Sequence, residues 1–119
     1  ELDASIMDGR TRAAGAVAGI SATKNPISLA RAVMEKSPHV FLSGSGADQF
    51  SREQGLEQAG PEWFATPERR RQLEELKARK VSALEVEYKY GTVGAVALDV
   101  KGHVAAATST GGMTGKRWN

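Results

Sequence analysis

A run of small, uncharged residues, Val93 to Leu98, is followed after Asp99-Val100-Lys101-Gly102 by another, Val104 to Ala107, and this pattern constrains the fold most. A three-residue loop of Val100, Lys101 and Gly102 closes the two runs as a β-hairpin, with Gly102 where a G1-bulge loop needs a left-handed residue. Facing residue numbers then add to about 202, which sets Thr92 opposite Thr110. Directly opposed residues share a face, with Cβ atoms roughly 4.5–5.5 Å apart. The two hydroxyls are therefore expected to meet. Because the strands are apolar on both faces, a layered architecture is expected, with helices or a second sheet packed against each side.

The rest of the chain reads as α+β. Leu2, Ala4 and Ile6 alternate with Asp3 and Ser5, and after the turn signal Asp8-Gly9 the run Gly15 to Ile20 completes a second hairpin, one strand mixed and the other buried. Asn25-Pro26 starts a helix carrying Leu29, Ala30, Val33 and Met34, and Ser37-Pro38 ends it. His39 to Leu42 reads as a short buried strand running into a Ser43-Gly44-Ser45-Gly46 turn. A short helix over 47–54, closed by Gly55, follows. Thr66-Pro67-Glu68 opens a charged, mostly solvated helix through about Lys80, with Leu73 and Leu76 as its large apolar contacts. Residues 81–90 read as a linker or an edge strand.

Composition narrows the classes. The chain has 119 residues, the length of one domain, and a net charge of +2 from 16 basic and 14 acidic side chains. Near-balanced charge gives no reason to expect nucleic acid. No apolar run reaches the roughly 18 residues that cross a bilayer, and no signal peptide opens the chain, so cytosol is the default expectation. With no cysteine, disulfides, thiolate metal sites and a cysteine nucleophile are excluded. The absence of an initiator Met and the abrupt ends suggest a piece of something longer.

Most candidate motifs have plain explanations. Gly44-Ser45-Gly46-Ala47-Asp48-Gln49 has the start of a dinucleotide loop but Gln49 where the third small residue belongs, and it reads as a turn. His39 and His103 are isolated and read as strand-end residues. Arg69-Arg70-Arg71 is interleaved with Glu68, Glu74 and Glu75 at helical spacing, so intrahelical pairing is expected rather than phosphate binding. No Ser-His-Asp triad assembles. The threonine pair also has a structural reading, since threonine favours strands. What sharpens it is Gly91 directly before Thr92.

Gly91-Thr92-Val93-Gly94-Ala95-Val96-Ala97-Leu98-Asp99, then Ala105-Ala106-Ala107-Thr108-Ser109-Thr110-Gly111-Gly112-Met113-Thr114, resembles the plant-type asparaginase and isoaspartyl peptidase family of N-terminal-nucleophile (Ntn) hydrolases. Leu2-Asp3-Ala4, Met7-Asp8-Gly9, Gly15-Ala16-Val17, Lys24-Asn25-Pro26-Ile27 and Ser37-Pro38-His39-Val40 resemble that family in the same order.

The resemblance implies a fragment of a four-layer αββα sandwich that cleaves itself between Gly91 and Thr92. Residues 1–91 would be the C-terminal part of the α-subunit region with its linker, and 92–119 the start of the β-subunit region. Thr92 would be the nucleophile and Thr110 its orienting partner. The implied substrates are L-asparagine and β-aspartyl dipeptides, and the implied assembly is a dimer of αβ heterodimers with the remaining parts of the same enzyme. The resemblance places the substrate clamp, in a Gly-Asp-Ser-Pro segment, and a Thr-Gly oxyanion pair beyond Asn119, so substrate-binding residues are unassigned. No cofactor is expected for the chemistry. A structural sodium or potassium ion is left open, the latter near Val33 to His39. Two alternatives stand beside this: a glycosylasparaginase-like amidohydrolase, and a non-catalytic remnant whose hairpin is a docking module.

Overall fold

The computed structural model describes residues 1–79 and 91–115. In chain order the elements are β1 (Leu2–Asp8), β2 (Ala14–Ile20), α1 (Pro26–Lys36), β3 (Phe41–Ser43), α2 (Gly44–Glu53), α3 (Pro61–Phe64), α4 (Pro67–Arg79), β4 (Val93–Leu98) and β5 (Val104–Thr110). The strands form one sheet in the order β3-β2-β1-β5-β4. The stretch 81–90, expected as linker or edge strand, and Lys80 lie outside the described residues.

Period-two alternation decides which way each strand faces. Ala4, Val17 and Ile20 turn to one side, where Leu29, Ala30 and Val33 of α1 and Ala47 of α2 complete a buried cluster. The cap of α1 is the expected one: Asn25 accepts a hydrogen bond from the Ser28 N–H at 3.2 Å, and Pro26 takes a position whose missing N–H costs nothing. Gly15 lies under this helix so closely that a Cβ there would stand 2.1 Å from the Ala30 carbonyl oxygen. Behind α2, Ser21 donates through N–H and hydroxyl to the buried Asp48 carboxylate at 3.1 and 2.8 Å, tying the end of β2 to that helix.

Three expectations are corrected. The strand after His39 is Phe41–Ser43 and is not buried: it is an edge strand paired in parallel with β2 alone, and Val40 and Phe41 are 63 % and 55 % exposed. The four-residue turn at Ser43 to Gly46 is a single-residue corner. Gly44 alone, at φ +54°, swings the chain from strand into helix, so Ser45 and Gly46 already belong to the first turn of α2. Parallel pairing of β2 with β3 across α1 makes a βαβ unit that spacing did not reveal, though the helix after it still lacks the third small residue of a dinucleotide loop.

The β4–β5 hairpin follows the expected register, with Val93 opposite Ser109 and Leu98 opposite Val104. Its tip closes as a three-residue loop, with Gly102 at φ +82° and the Asp99 N–H donating to the His103 carbonyl at 2.9 Å. The His103 N–H, with that of Lys101, holds the Asp99 carboxyl below the usual carboxylate range. Replacing Gly102 with Ala forces a Cβ into left-handed backbone. A loss of about 1–2 kcal/mol is expected, read as a lowered unfolding midpoint; an unchanged midpoint would contradict this loop geometry.

Cover on both sides of the hairpin is not found among the described residues. β4 is exposed along its whole length, and Met7, Phe41, Val96 and Leu98 are open to solvent on the face turned away from α1. What is observed is a mixed α/β sheet with helices on one side.

Candidate active site

Register places the two threonines. Thr92 immediately precedes β4, and Thr110 ends β5 on the same open face, because residues of facing number share a side of the sheet. Their hydroxyl oxygens are 3.0 Å apart, with Thr92 donating to Thr110. Thr110 Oγ1 also accepts the Gly112 N–H at 3.0 Å. Two donors therefore meet at the Thr110 oxygen. On the third strand of that row Asp3 stands opposite Thr110, with Oδ1 taking the Gly19 N–H at 2.9 Å.

Gly91 is approached from the other direction by Arg69. A Cβ at this position would fall 2.5 Å from Nη2 of Arg69, so the guanidinium lies against the glycine. Nη1 of the same arginine donates to Gln72 Oε1 and to Thr114 Oγ1, both at 3.1 Å. Gln72 Nε2 is anchored on Glu68 at 3.0 Å. Glu68 in turn is bridged by Arg71 at 2.8 and 2.9 Å, which holds its carboxyl below the ordinary glutamate range.

The arginine cluster thus divides. Arg71 pairs within the helix to Glu68 and Glu75 as expected, whereas Arg69 leaves the helix surface for the segment after β5. Sequence reading missed this contact. The buried face of α4 is Gln72 and Leu76, with Leu73 36 % exposed. Arg69, Gln72 and Leu76 at i, i+3 and i+7 share one face, and that spacing was the available signal.

A cleft of about 480 Å³ adjoins the junction, lined among others by Leu2, Ile20, Phe64, Arg69, Gly91 and Thr114. It stops at Gly91 and includes neither threonine. His103 faces Asp99 at 2.9 Å at the hairpin tip, six strand residues or roughly 20 Å from Thr92. His39 is exposed before β3. Among the described residues no group of three or more His, Cys, Asp or Glu is placed to hold a metal ion. No helix among them is long and apolar enough to cross a membrane.

Chemically, a threonine hydroxyl is a poor nucleophile toward a separate substrate until a base removes its proton. An α-amine at residue 92 would supply one, and a glycine before it leaves room for attack on its carbonyl.

Comparison with known proteins bears on the family. A family model described as asparaginase matches residues 1–118. The isoaspartyl peptidase of Escherichia coli K12 is 54 % identical over 125 residues, covering 98 % of this chain and 38 % of that protein. The isoaspartyl peptidase/L-asparaginase of Rattus norvegicus is 48 % identical, covering 98 % and 35 %. The probable isoaspartyl peptidase/L-asparaginase 2 of Arabidopsis thaliana is 41 % identical, covering 98 % and 43 %. This chain therefore spans well under half the length of these curated relatives. With a match running through the sheet, the helices and both threonines, the chain belongs to the asparaginase family.

Proposed function

We propose that this chain carries the self-cleavage junction of a threonine Ntn-hydrolase that acts on L-asparagine and β-aspartyl dipeptides. The observation that carries the reading is the 3.0 Å contact between the Thr92 and Thr110 hydroxyls directly after Gly91. The names of the relatives supply the substrate class.

In self-cleavage the Thr92 hydroxyl oxygen attacks the Gly91 carbonyl carbon. The Gly91–Thr92 C–N bond breaks, the hydroxyl proton passes to the nitrogen, and an ester replaces the amide. Water then adds to that ester, the C–O bond breaks, and the proton returns to the Thr92 oxygen. Gly91 leaves as a carboxylate. The freed α-amine has a reference pKa of about 7.7–8.0, near enough to neutral to act as base for its own hydroxyl. Thr110, held by the Gly112 N–H, fixes the hydroxyl it touches.

Turnover repeats the same chemistry on the β-carboxyl of aspartate. The Thr92 oxygen attacks the amide carbon and the amine proton acquired from the hydroxyl passes to the leaving nitrogen. Ammonia or an amino acid departs, and water hydrolyses the acyl-threonine. No cofactor enters these steps. An alkali ion has at most a structural place, and around Val33 to His39 the Ser37 hydroxyl already stands 2.8 Å from the Val33 and 3.1 Å from the His39 carbonyl oxygen.

The proposal includes the αββα sandwich, in which the open face of the sheet, with Met7, Phe41, Val96 and Leu98, is covered by the rest of the enzyme. Residues 1–91 and 92–119 then belong to two subunits of an αβ heterodimer, and two such heterodimers associate. The substrate clamp lies beyond this chain.

Thr110→Ala in the complete enzyme is expected to lower kcat by about 10²-fold, the scale of one lost positioning hydrogen bond at a reacting group, with the fold intact by circular dichroism. Unchanged kcat would remove Thr110 from the mechanism. Substrate class is tested by assaying a β-aspartyl dipeptide, L-asparagine and glycosylated asparagine side by side. Turnover of the first two supports the proposal, and turnover of glycosylated asparagine alone would replace it.

A further inference from the structure

We infer that Arg69 is a positioning residue for self-cleavage, holding Gly91 in place against Thr92. The inference rests on the self-cleavage proposal and deepens it. Thr92 is steadied by Thr110 from the side of the hairpin, but attack also requires Gly91 to be held, and the Arg69 guanidinium lies where a side chain at that glycine would begin.

The guanidinium is itself fixed before it reaches the junction. One nitrogen donates to Gln72 and Thr114 at 3.1 Å. Gln72 is 9 % exposed, so its amide cannot exchange these bonds for water without cost. Thr114 also donates to Gln72 Oε1 at 3.3 Å. The second guanidinium nitrogen is therefore aimed rather than free to sweep, and it falls where any side chain at position 91 would begin. A planar, always-charged fork suits this task in a way a flexible ammonium does not.

Two consequences follow. A side chain at position 91 would have to displace the end of the guanidinium, which its bonds to Gln72 and Thr114 resist. Moreover Thr114 lies four residues past Thr110, so one side chain couples the residue before the scissile bond to the segment that anchors the second threonine. When ester hydrolysis leaves a carboxylate on Gly91, a cation already stands beside it.

The experiment follows conversion of newly made, complete precursor to its two pieces on denaturing gels. Arg69→Leu is expected to slow cleavage by about 10–100-fold, as displaced reacting groups do, and Arg69→Lys to recover part of that loss. Gly91→Ala, which keeps the arginine, is expected to slow cleavage too. Gly91→Ala combined with Arg69→Ala should be no slower than Arg69→Ala alone, because the collision is gone. A thermal melt of Thr92→Ala precursor with and without Arg69→Leu separates positioning from loss of fold; a cooperative melt, lowered only by the loss of the Gln72 and Thr114 bonds, is expected. Wild-type cleavage rate in Arg69→Leu, or losses that simply multiply in the double variant, would overturn the inference. Thr92→Ala run beside them keeps the two readings apart: if it still cleaves, the self-cleavage proposal fails, whereas a blocked Thr92→Ala with unaffected Arg69→Leu sinks the positioning role alone.

Discussion

Thr92→Ala in the complete protein is expected to give one uncleaved band on a denaturing gel and activity lower by at least about 10³-fold. The same hydroxyl is asked to do two jobs, opening the Gly91–Thr92 bond and forming the acyl intermediate, so its removal stops both. Thr92→Ser keeps the oxygen and should keep both. The contact to Thr110 at 3.0 Å is lost in the alanine variant without disturbing the strand, since Thr92 is exposed and sits just outside β4. A melting temperature close to wild type is therefore expected alongside the loss of chemistry. Normal processing of Thr92→Ala would remove the nucleophile assignment.

Gly15→Ala is expected to be the most damaging small change in the scaffold. The added methyl would stand 2.1 Å from the Ala30 oxygen and 2.7 Å from the Met34 nitrogen. Both are backbone atoms of α1, so no rotamer change relieves the clash and the helix must lift from the sheet. That helix contributes Leu29, Ala30 and Val33 to the buried cluster. A destabilisation of about 3 kcal/mol, at the upper end of ordinary overpacking, follows, read from the midpoint of chemical unfolding. The same substitution at Gly46 has the opposite sign. Nothing lies within 4 Å of its Cβ position, it sits inside α2, and relief of backbone entropy stabilises by about 0.5–1 kcal/mol. Equal effects at the two glycines would contradict the packing described.

How much of this was legible in the residues varies from element to element for physical reasons. The β4–β5 register was readable because a short loop with one left-handed glycine leaves a single way to pair the strands, and it carried Thr92 to Thr110. Helix α1 was readable because its signals are local: an Asn cap, a Pro at the first position and apolar side chains at helical spacing. β3 was misjudged because apolar residues such as Val40 and Phe41 read the same whether buried or on an open face. That distinction belongs to what packs on the sheet, not to the strand. The corner at Gly44 was spread over four residues because Ser and Gly are equally at home in turns and in a helix's first turn.

The candidate site divides in the same way. The threonine pair follows from strand pairing and was accessible from spacing. Arg69 was not, since its partner Thr114 is 45 residues away and Glu68, Glu74 and Glu75 at helical spacing offer a sufficient local account of the charge. Only the approach of α4 to the segment after β5 separates Arg69 from Arg71. The resemblance assigns the substrate clamp to a segment past Asn119, so the proposed site in these residues consists of nucleophile, orienting hydroxyl and scissile glycine.

N-terminal sequencing of the subunits in the active fraction of the complete enzyme, with intact mass of each, tests the central claim most directly. A subunit beginning Thr92-Val93-Gly94, with a partner ending at Gly91, is the expected result. Full activity in protein whose Gly91–Thr92 bond is unbroken would contradict it.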